Sequence, residues 1–257
     1  VEAEERLTGG NMSVVARVGQ TVRRAPGPWT EPVQALLRHL HEMGFKETPV
    51  PLGFDEQGRE ILSFIPGQVG HDPLPENLRS DEILISAAKL LRRLHDATLE
   101  SVLLRLPGWQ ALVREPVEVI CHGDFAPYNC VFEGDTLVGV IDFDHAHPGP
   151  RSWDIAYALY RFVPLMAPSN PDCFATLTDQ LRRARLFCDA YGLTERTGIA
   201  ATVRARVESL AAYLRDGAAR GDERLLANIA AGHLAVYETD VLYLEQIEAE
   251  LERALAL

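Results

Sequence analysis

The chain has 257 residues, a formal net charge of −12, 47% hydrophobic and 24% charged residues, so it can bury a substantial core in one large domain or two lobes. Its acidity argues against nucleic acid as a partner, and no apolar run reaches the length of a membrane span. The first residues lack a signal-peptide pattern, and the four cysteines (Cys121, Cys130, Cys173, Cys188) form no Cys-x-x-Cys pair, which reads as buried, reduced thiols in a cytoplasmic protein.

Taken in chain order, Glu2–Leu7 and Met12–Val18 read as strands around Gly9-Gly10-Asn11. Glycine at position 10 would let backbone N–H groups approach an anion, with a plain hairpin turn as the equal alternative. No Gly-x-x-x-x-Gly-Lys-Ser/Thr phrase exists, which excludes a P-loop. A third strand, Thr21–Arg24, follows Gly19-Gln20. Thr30 then reads as an N-cap, with Glu31 and Pro32 in the first turn of a helix. Val33, Leu36, Leu37 and Leu40 form its buried stripe, Glu31, Gln34, Arg38 and His41 its polar one, and Gly44 ends it. Strands at Pro51–Phe54 and Glu60–Ile65 flank Asp55-Glu56-Gln57-Gly58, and Ile65-Pro66-Gly67 breaks the pattern.

From His71 onward the pattern is helical except for one hairpin. Ser80 opens a helix with Ile83, Ala87, Leu90, Leu91 and Leu94 on its apolar face and His95 at its end. Residues 121–144 differ. His122-Gly123-Asp124 precedes Asn129 by a short loop containing Pro127; the apolar runs Cys130–Phe132 and Leu137–Ile141 then flank Glu133-Gly134-Asp135, and the second run ends in Asp142. Beyond it, Ser152 reads as the cap of a helix at Trp153–Tyr160, and amphipathic segments cover 171–191, 195–219 and 221–255.

The central stretch carries chemistry. Phosphoryl transfer needs a carboxylate for the attacking hydroxyl, and an amide oxygen with a second carboxylate for magnesium. Asp124, Asn129 and Asp142 supply that set in that order. A competing reading is a metal-hydrolase cluster of Asp142, Asp144, His145 and His147. His122-Gly123-Asp124 together with Ile141-Asp142-Phe143-Asp144 resembles the aminoglycoside phosphotransferase and choline kinase branch of kinase-like enzymes.

The resemblance implies an α+β, two-lobed protein-kinase-like fold. A small N-terminal antiparallel sheet lobe with one helix, residues 1–67, would bind nucleotide. A larger, mainly helical lobe, residues 68–257, would carry the catalytic loop and acceptor pocket. It implies Asp124 as catalytic base and Asn129 and Asp142 as Mg2+ ligands. Ser63, Phe64 and Ile65 would offer backbone groups to the base of ATP or GTP, and Gly10 would lie at the phosphates. Where the family places a lysine on the third strand this chain has Arg24, since its only lysines are Lys46 and Lys89. Glu31 is then the candidate helix partner for Arg24, and Asp144 a further candidate at the metal or the acceptor. His122 and Asp154, the latter in an Asp-Ile-Ala phrase, would support the catalytic loop. The acceptor would be a small-molecule hydroxyl, aminoglycoside-like or other, with a cationic one favoured by the chain's acidity. The alternative is a non-catalytic, regulatory nucleotide-binding protein on the same fold.

Overall fold

A computed structural model describes residues 4–7 and 15–256 of the chain. Its first part is a five-stranded antiparallel sheet made of β1 (Glu4–Leu7), β2 (Val15–Val18), β3 (Thr21–Arg24), β4 (Pro51–Phe54) and β5 (Glu60–Ser63), in the order β1-β2-β3-β5-β4. Gly10 and its neighbours, expected at the β1–β2 turn, lie outside the described residues. The β2–β3 turn uses Gly19 at φ 58°, a conformation glycine adopts without steric cost. β5 stops at Ser63, two residues earlier than expected. The Phe64 N–H leaves the ladder to donate to the Gln20 carbonyl at 2.9 Å.

Helix α1 (Thr30–Glu42) buries Val33, Leu36, Leu37 and Leu40, each no more than 1% exposed. Its start differs from the expected cap. Thr30 is already helical, Trp29 precedes it without a side-chain capping bond, and the Thr30 hydroxyl accepts from the Gly27 N–H at 2.9 Å. After Met43 the chain turns out through Gly44 at φ 81°.

The chain divides into two compact units, one of residues 1–78 and 90–151, the other of residues 79–89 and 152–257. Helix α2 (Asp81–Ala97), opened by the Ser80 hydroxyl accepting from the Ile83 N–H, contributes its first half to the second unit and the rest to the first. The first unit also contains β6 (Gln68–Val69), β7 (Val119–Cys121), β8 (Cys130–Glu133), β9 (Thr136–Val140) and β10 (His147–Gly149). The expected hairpin is β8–β9, extended by β6 into three strands, while β7 pairs with β10. β6, β7 and β10 are two or three residues long, too short for an alternation to mark them.

In the second unit are α3 (Arg151–Phe162, except its first residue), α4 (Leu177–Tyr191), α5 (Ile199–Ala219), α6 (Glu223–Ala230) and α7 (His233–Ala256). Ser152, expected as a cap, lies inside α3. The segment expected at 221–255 is two helices, because Gly232 takes φ 93° between them. α7 buries Leu244, Ile247, Leu251 and Leu255 at helical spacing and packs along α5. Buried beside them, Asp240 accepts from the Tyr160 hydroxyl (2.7 Å), the Ala167 N–H (2.8 Å) and the Asn170 amide (2.7 Å). Among the described residues no helix is long and apolar enough to cross a membrane. Cys121, Cys130 and Cys188 are buried free thiols, and Cys173 is partly exposed.

Candidate active site

Strand β7 is fully buried and delivers His122 and Asp124 at its end. The turn between them needs glycine. Gly123 takes φ 79°, and a Cβ there would run into the His145 carbonyl oxygen. His122 is wholly buried and bonded on both sides: Nδ1 accepts from the Asp124 N–H at 3.2 Å, and Nε2 donates to the Ile141 carbonyl at 3.0 Å. That pattern assigns a neutral ring protonated on Nε2. The ring also lies against Phe143, with centroids 4.5 Å apart. One imidazole thus ties the Asp124 loop to the strand exit that carries Asp142.

A 3-10 turn at Pro127–Asn129 returns the chain toward Asp124. The Asn129 amide nitrogen donates to the Asp124 carboxylate (Oδ2, 2.8 Å) and to its main-chain oxygen (2.9 Å). With the NH2 end committed there, the amide oxygen is the end left to act as an acceptor or metal ligand. Tyr128 donates its hydroxyl to Asp124 Oδ1 at 2.7 Å. The Ile141 N–H donates to the Asn129 carbonyl at 2.9 Å, which couples this turn to β9. Asp142 then takes φ 65°, ψ 65°, a left-handed conformation rare for a residue with a side chain, and Asp144 follows in a short 3-10 turn.

Arg24 comes from the sheet. Its side chain shares a face with Glu60, directly opposite on β5, and donates Nε to Glu60 Oε2 at 2.6 Å. Glu60 is fully buried, and its other oxygen accepts from Gln34 of α1 at 3.1 Å. Arg24 NH1 lies 2.8 Å from Asp144 Oδ1 and 3.7 Å from Asp142 Oδ1. Arg23, on the opposite sheet face, approaches Asp55 instead. The candidate pairing of Arg24 with Glu31 is not formed. Glu31 is exposed in the first turn of α1, whereas Gln34, one turn on, reaches the buried acid.

Burial works against the Arg24 charge, but Asp144, Glu60 and Asp142 outweigh it and raise its pKa above the ordinary arginine value. Asp142 is shifted up, first by desolvation and then by the Asp144 charge, with Arg24 offsetting part of the rise. Its side chain is nevertheless 52% exposed, so a ligand can reach it. His147, one of the alternative metal-hydrolase ligands, is buried in β10 with Nδ1 2.8 Å from the His145 carbonyl. No three His, Cys, Asp or Glu side chains among the described residues converge as a metal site, so the hydrolase cluster is not assembled.

The other expected residues fall as follows. The Ser63 and Phe64 N–H groups are spent on the Val50 and Gln20 carbonyls. Asp154 is fully buried in the first turn of α3, in the second unit. Glu60, Gln34 and Tyr128 were not anticipated. The Arg24–Glu60 pair depends on a register between strands 36 residues apart, which no local pattern encodes. Tyr128 was within reach of inspection, as the one side-chain hydroxyl between Asp124 and Asn129.

A family model described as the phosphotransferase enzyme family matches residues 99–187, which contain Asp124, Asn129, Asp142 and Asp144. The trifolitoxin immunity protein of Rhizobium leguminosarum bv. trifolii is 37% identical over 198 residues, covering 74% of this chain and 74% of that protein. This chain belongs to the phosphotransferase enzyme family. Solved structures agree on the kinase-like fold at lower identity. The ADP-bound aminoglycoside phosphotransferase APH(2'')-Ib has a TM-score of 0.63 at 17% identity, covering 98% of this chain and 95% of that one. A choline/ethanolamine kinase family protein from Mesorhizobium loti has a TM-score of 0.63 at 18% identity, covering 99% and 91%. The gentamicin complex of APH(2")-IIa has a TM-score of 0.60 at 17% identity, covering 97% and 93%.

Phosphotransferases of this family imply a divalent cation, and the donor set here suits a hard one. The Asn129 amide and the Asp142 carboxylate would each offer an oxygen, and Asp144 carries a further carboxylate close to Asp142. Magnesium is commonly held by one or two carboxylates and completed by phosphate oxygens, so a pair of protein ligands without a finished cage fits it. The charge balance fits too, since Asp142, Asp144 and Glu60 outnumber the single Arg24 they face.

Proposed function

We propose that the protein transfers the γ-phosphoryl group of ATP or GTP to a hydroxyl of a small molecule, in the cytoplasm and with Mg2+. The observation that carries this reading is the convergence, within one compact unit, of Asp124, Asn129, Asp142 and Arg24. Asp124 would accept the proton of the attacking hydroxyl as its oxygen bonds to the γ-phosphorus and the bond to the β-phosphate oxygen breaks. Tyr128 and Asn129 hold its carboxylate through one oxygen each, leaving lone pairs on both. Asn129 and Asp142 would hold magnesium, which when bound neutralises charge building on the phosphates. Arg24 would take the phosphates in place of the family's lysine; its planar guanidinium offers two parallel donors to such an anion. The sheet unit with Gly10 and the Ser63–Ile65 backbone would receive the nucleotide, and with Ser63 and Phe64 N–H engaged, Ile65 is the donor for the base. His122 would act as a support of the Asp124 loop.

The acceptor class rests on family membership. Among its relatives, one is an immunity protein and one was solved with gentamicin, so toxins and cationic aminoglycosides join amino alcohols in a first screen. The test is Asp124→Ala, assayed for γ-phosphoryl transfer with an acceptor found in that screen. Turnover falls by roughly 10²–10⁴-fold, the usual contribution of a general base, while Mg-ATP affinity stays within about twofold of wild type. Full turnover in that variant would remove Asp124 from the reaction. If no acceptor is phosphorylated by wild type although Mg-nucleotide binds, a regulatory nucleotide-binding role takes precedence.

A further inference from the structure

Of the three carboxylates around Arg24, the two nearest are unlike. Toward Glu60 its environment is finished: Nε is aligned on Oε2 at 2.6 Å, the register of β3 and β5 holds the two residues opposite, and Gln34 satisfies the remaining oxygen. Toward Asp144 it is not. NH1 and Asp144 Oδ1 are 2.8 Å apart, yet that oxygen is buried without an aligned hydrogen-bond donor. The contact is one of charge without hydrogen-bond direction. A buried carboxylate oxygen held by charge alone lacks a directed hydrogen bond, which marks a contact ready to be exchanged for a better one.

We infer that Asp144 occupies the phosphate-facing nitrogen of Arg24 until nucleotide arrives, and so makes the site selective for metal-complexed over bare nucleotide. This rests on the phosphoryl-transfer reading above. A bare nucleoside triphosphate must displace Asp144 from Arg24, and its phosphates then sit beside two released carboxylates, Asp142 and Asp144. Like charges at such distances in a partly desolvated site repel strongly. A nucleotide carrying a divalent cation meets the same two carboxylates with the opposite sign. Displacement of Asp144 from Arg24 is then matched by its attraction to the cation, directly or through a bound water. Glu60 remains on Arg24 throughout and keeps the guanidinium aimed. In this scheme Asp144 is a specificity-determining residue, and its effect lies in the ratio of two affinities.

The experiment measures dissociation constants of ATP and of GTP by calorimetry, each with MgCl2 and with EDTA, for wild type, Asp144→Asn and Asp144→Ala. Thermal unfolding of the unliganded variants verifies that they are folded. The expected result is that both variants bind metal-free nucleotide at least tenfold more tightly than wild type. Their ratio of magnesium-bound to magnesium-free affinity shrinks by the same factor or more. An unchanged ratio in two folded variants, with nucleotide bound by all three proteins, overturns the inference and leaves the phosphoryl-transfer reading standing. Absence of binding by wild type and variants, with or without magnesium, overturns both.

Discussion

Tyr128 lies one position before Asn129 and donates to the oxygen of Asp124 that Asn129 does not touch. The two donors fix the plane of the carboxylate from opposite ends, so an incoming hydroxyl meets it in one orientation. Removing one of them should leave the proposed base, Asp124, in place but let its carboxylate rotate. Tyr128→Phe is expected to lower kcat about tenfold, the value of one hydrogen bond to a charged group of roughly 1.5 kcal/mol, with KM for nucleotide unchanged. Steady-state kinetics with nucleotide varied separates this from a general loss of fold, which would lower the amount of active enzyme in every assay. At this scale the sequence was informative where residues are neighbours. Asp124, Asn129 and Asp142 are joined by turns and one hairpin, and local chemistry was enough to group them. Arg24's partner was not legible. Glu60 comes from another strand, and its pairing is settled by how β5 aligns with β3.

At the level of elements, the four helices α4 to α7 were legible as amphipathic stretches, but their division was not. An apolar stripe continues across Gly232, and only the backbone conformation there separates α6 from α7. α7 is then held by Asp240, a wholly buried carboxylate that accepts from Tyr160 of α3 and from the Ala167–Asn170 loop. Burial pushes its pKa up, and the Tyr160, Ala167 and Asn170 donors offset only part of that rise. The folded protein therefore keeps this proton at pH values where the unfolded chain has released it. Its stabilising share is complete below the ordinary aspartate range and is lost as pH rises through the raised value. Denaturant unfolding of wild type and Asp240→Asn should accordingly differ most in acid, the wild-type advantage narrowing toward neutral pH. Asp240→Ala leaves three buried donors without an acceptor and should cost about 3 kcal/mol or more at any pH.

Over the whole molecule, a net charge of −12 opposes the approach of an anionic nucleotide from outside the screening length. Arg24 acts only at close range, buried as it is among Glu60, Asp142 and Asp144. Raising ionic strength from about 0.01 to 0.1 M shortens the Debye length from about 30 to 10 Å, so the association rate of Mg-ATP should increase. Stopped-flow mixing with a fluorescent ATP analogue at fixed free magnesium measures this; a rate that falls with salt would mean that a local positive field dominates. The composition indicated only a chain able to bury a substantial core, and it was the central motif that indicated the family and its fold. What stayed hidden was non-local, and it includes the short strands β6, β7 and β10 around the Asp124 loop.

The basic residue on β3 has a practical consequence. The chain's two lysines, Lys46 and Lys89, are both exposed, and the cation held against Glu60 and Asp144 is a guanidinium. Acyl-phosphate nucleotide probes report on kinases by acylating a primary amine beside the bound phosphates. Arg24 offers them no such amine, so a nucleotide bound as proposed would not direct acylation to the cation on β3. A dicarbonyl reagent directed at arginine, with protection by nucleotide as the readout, is the chemistry suited to detecting it.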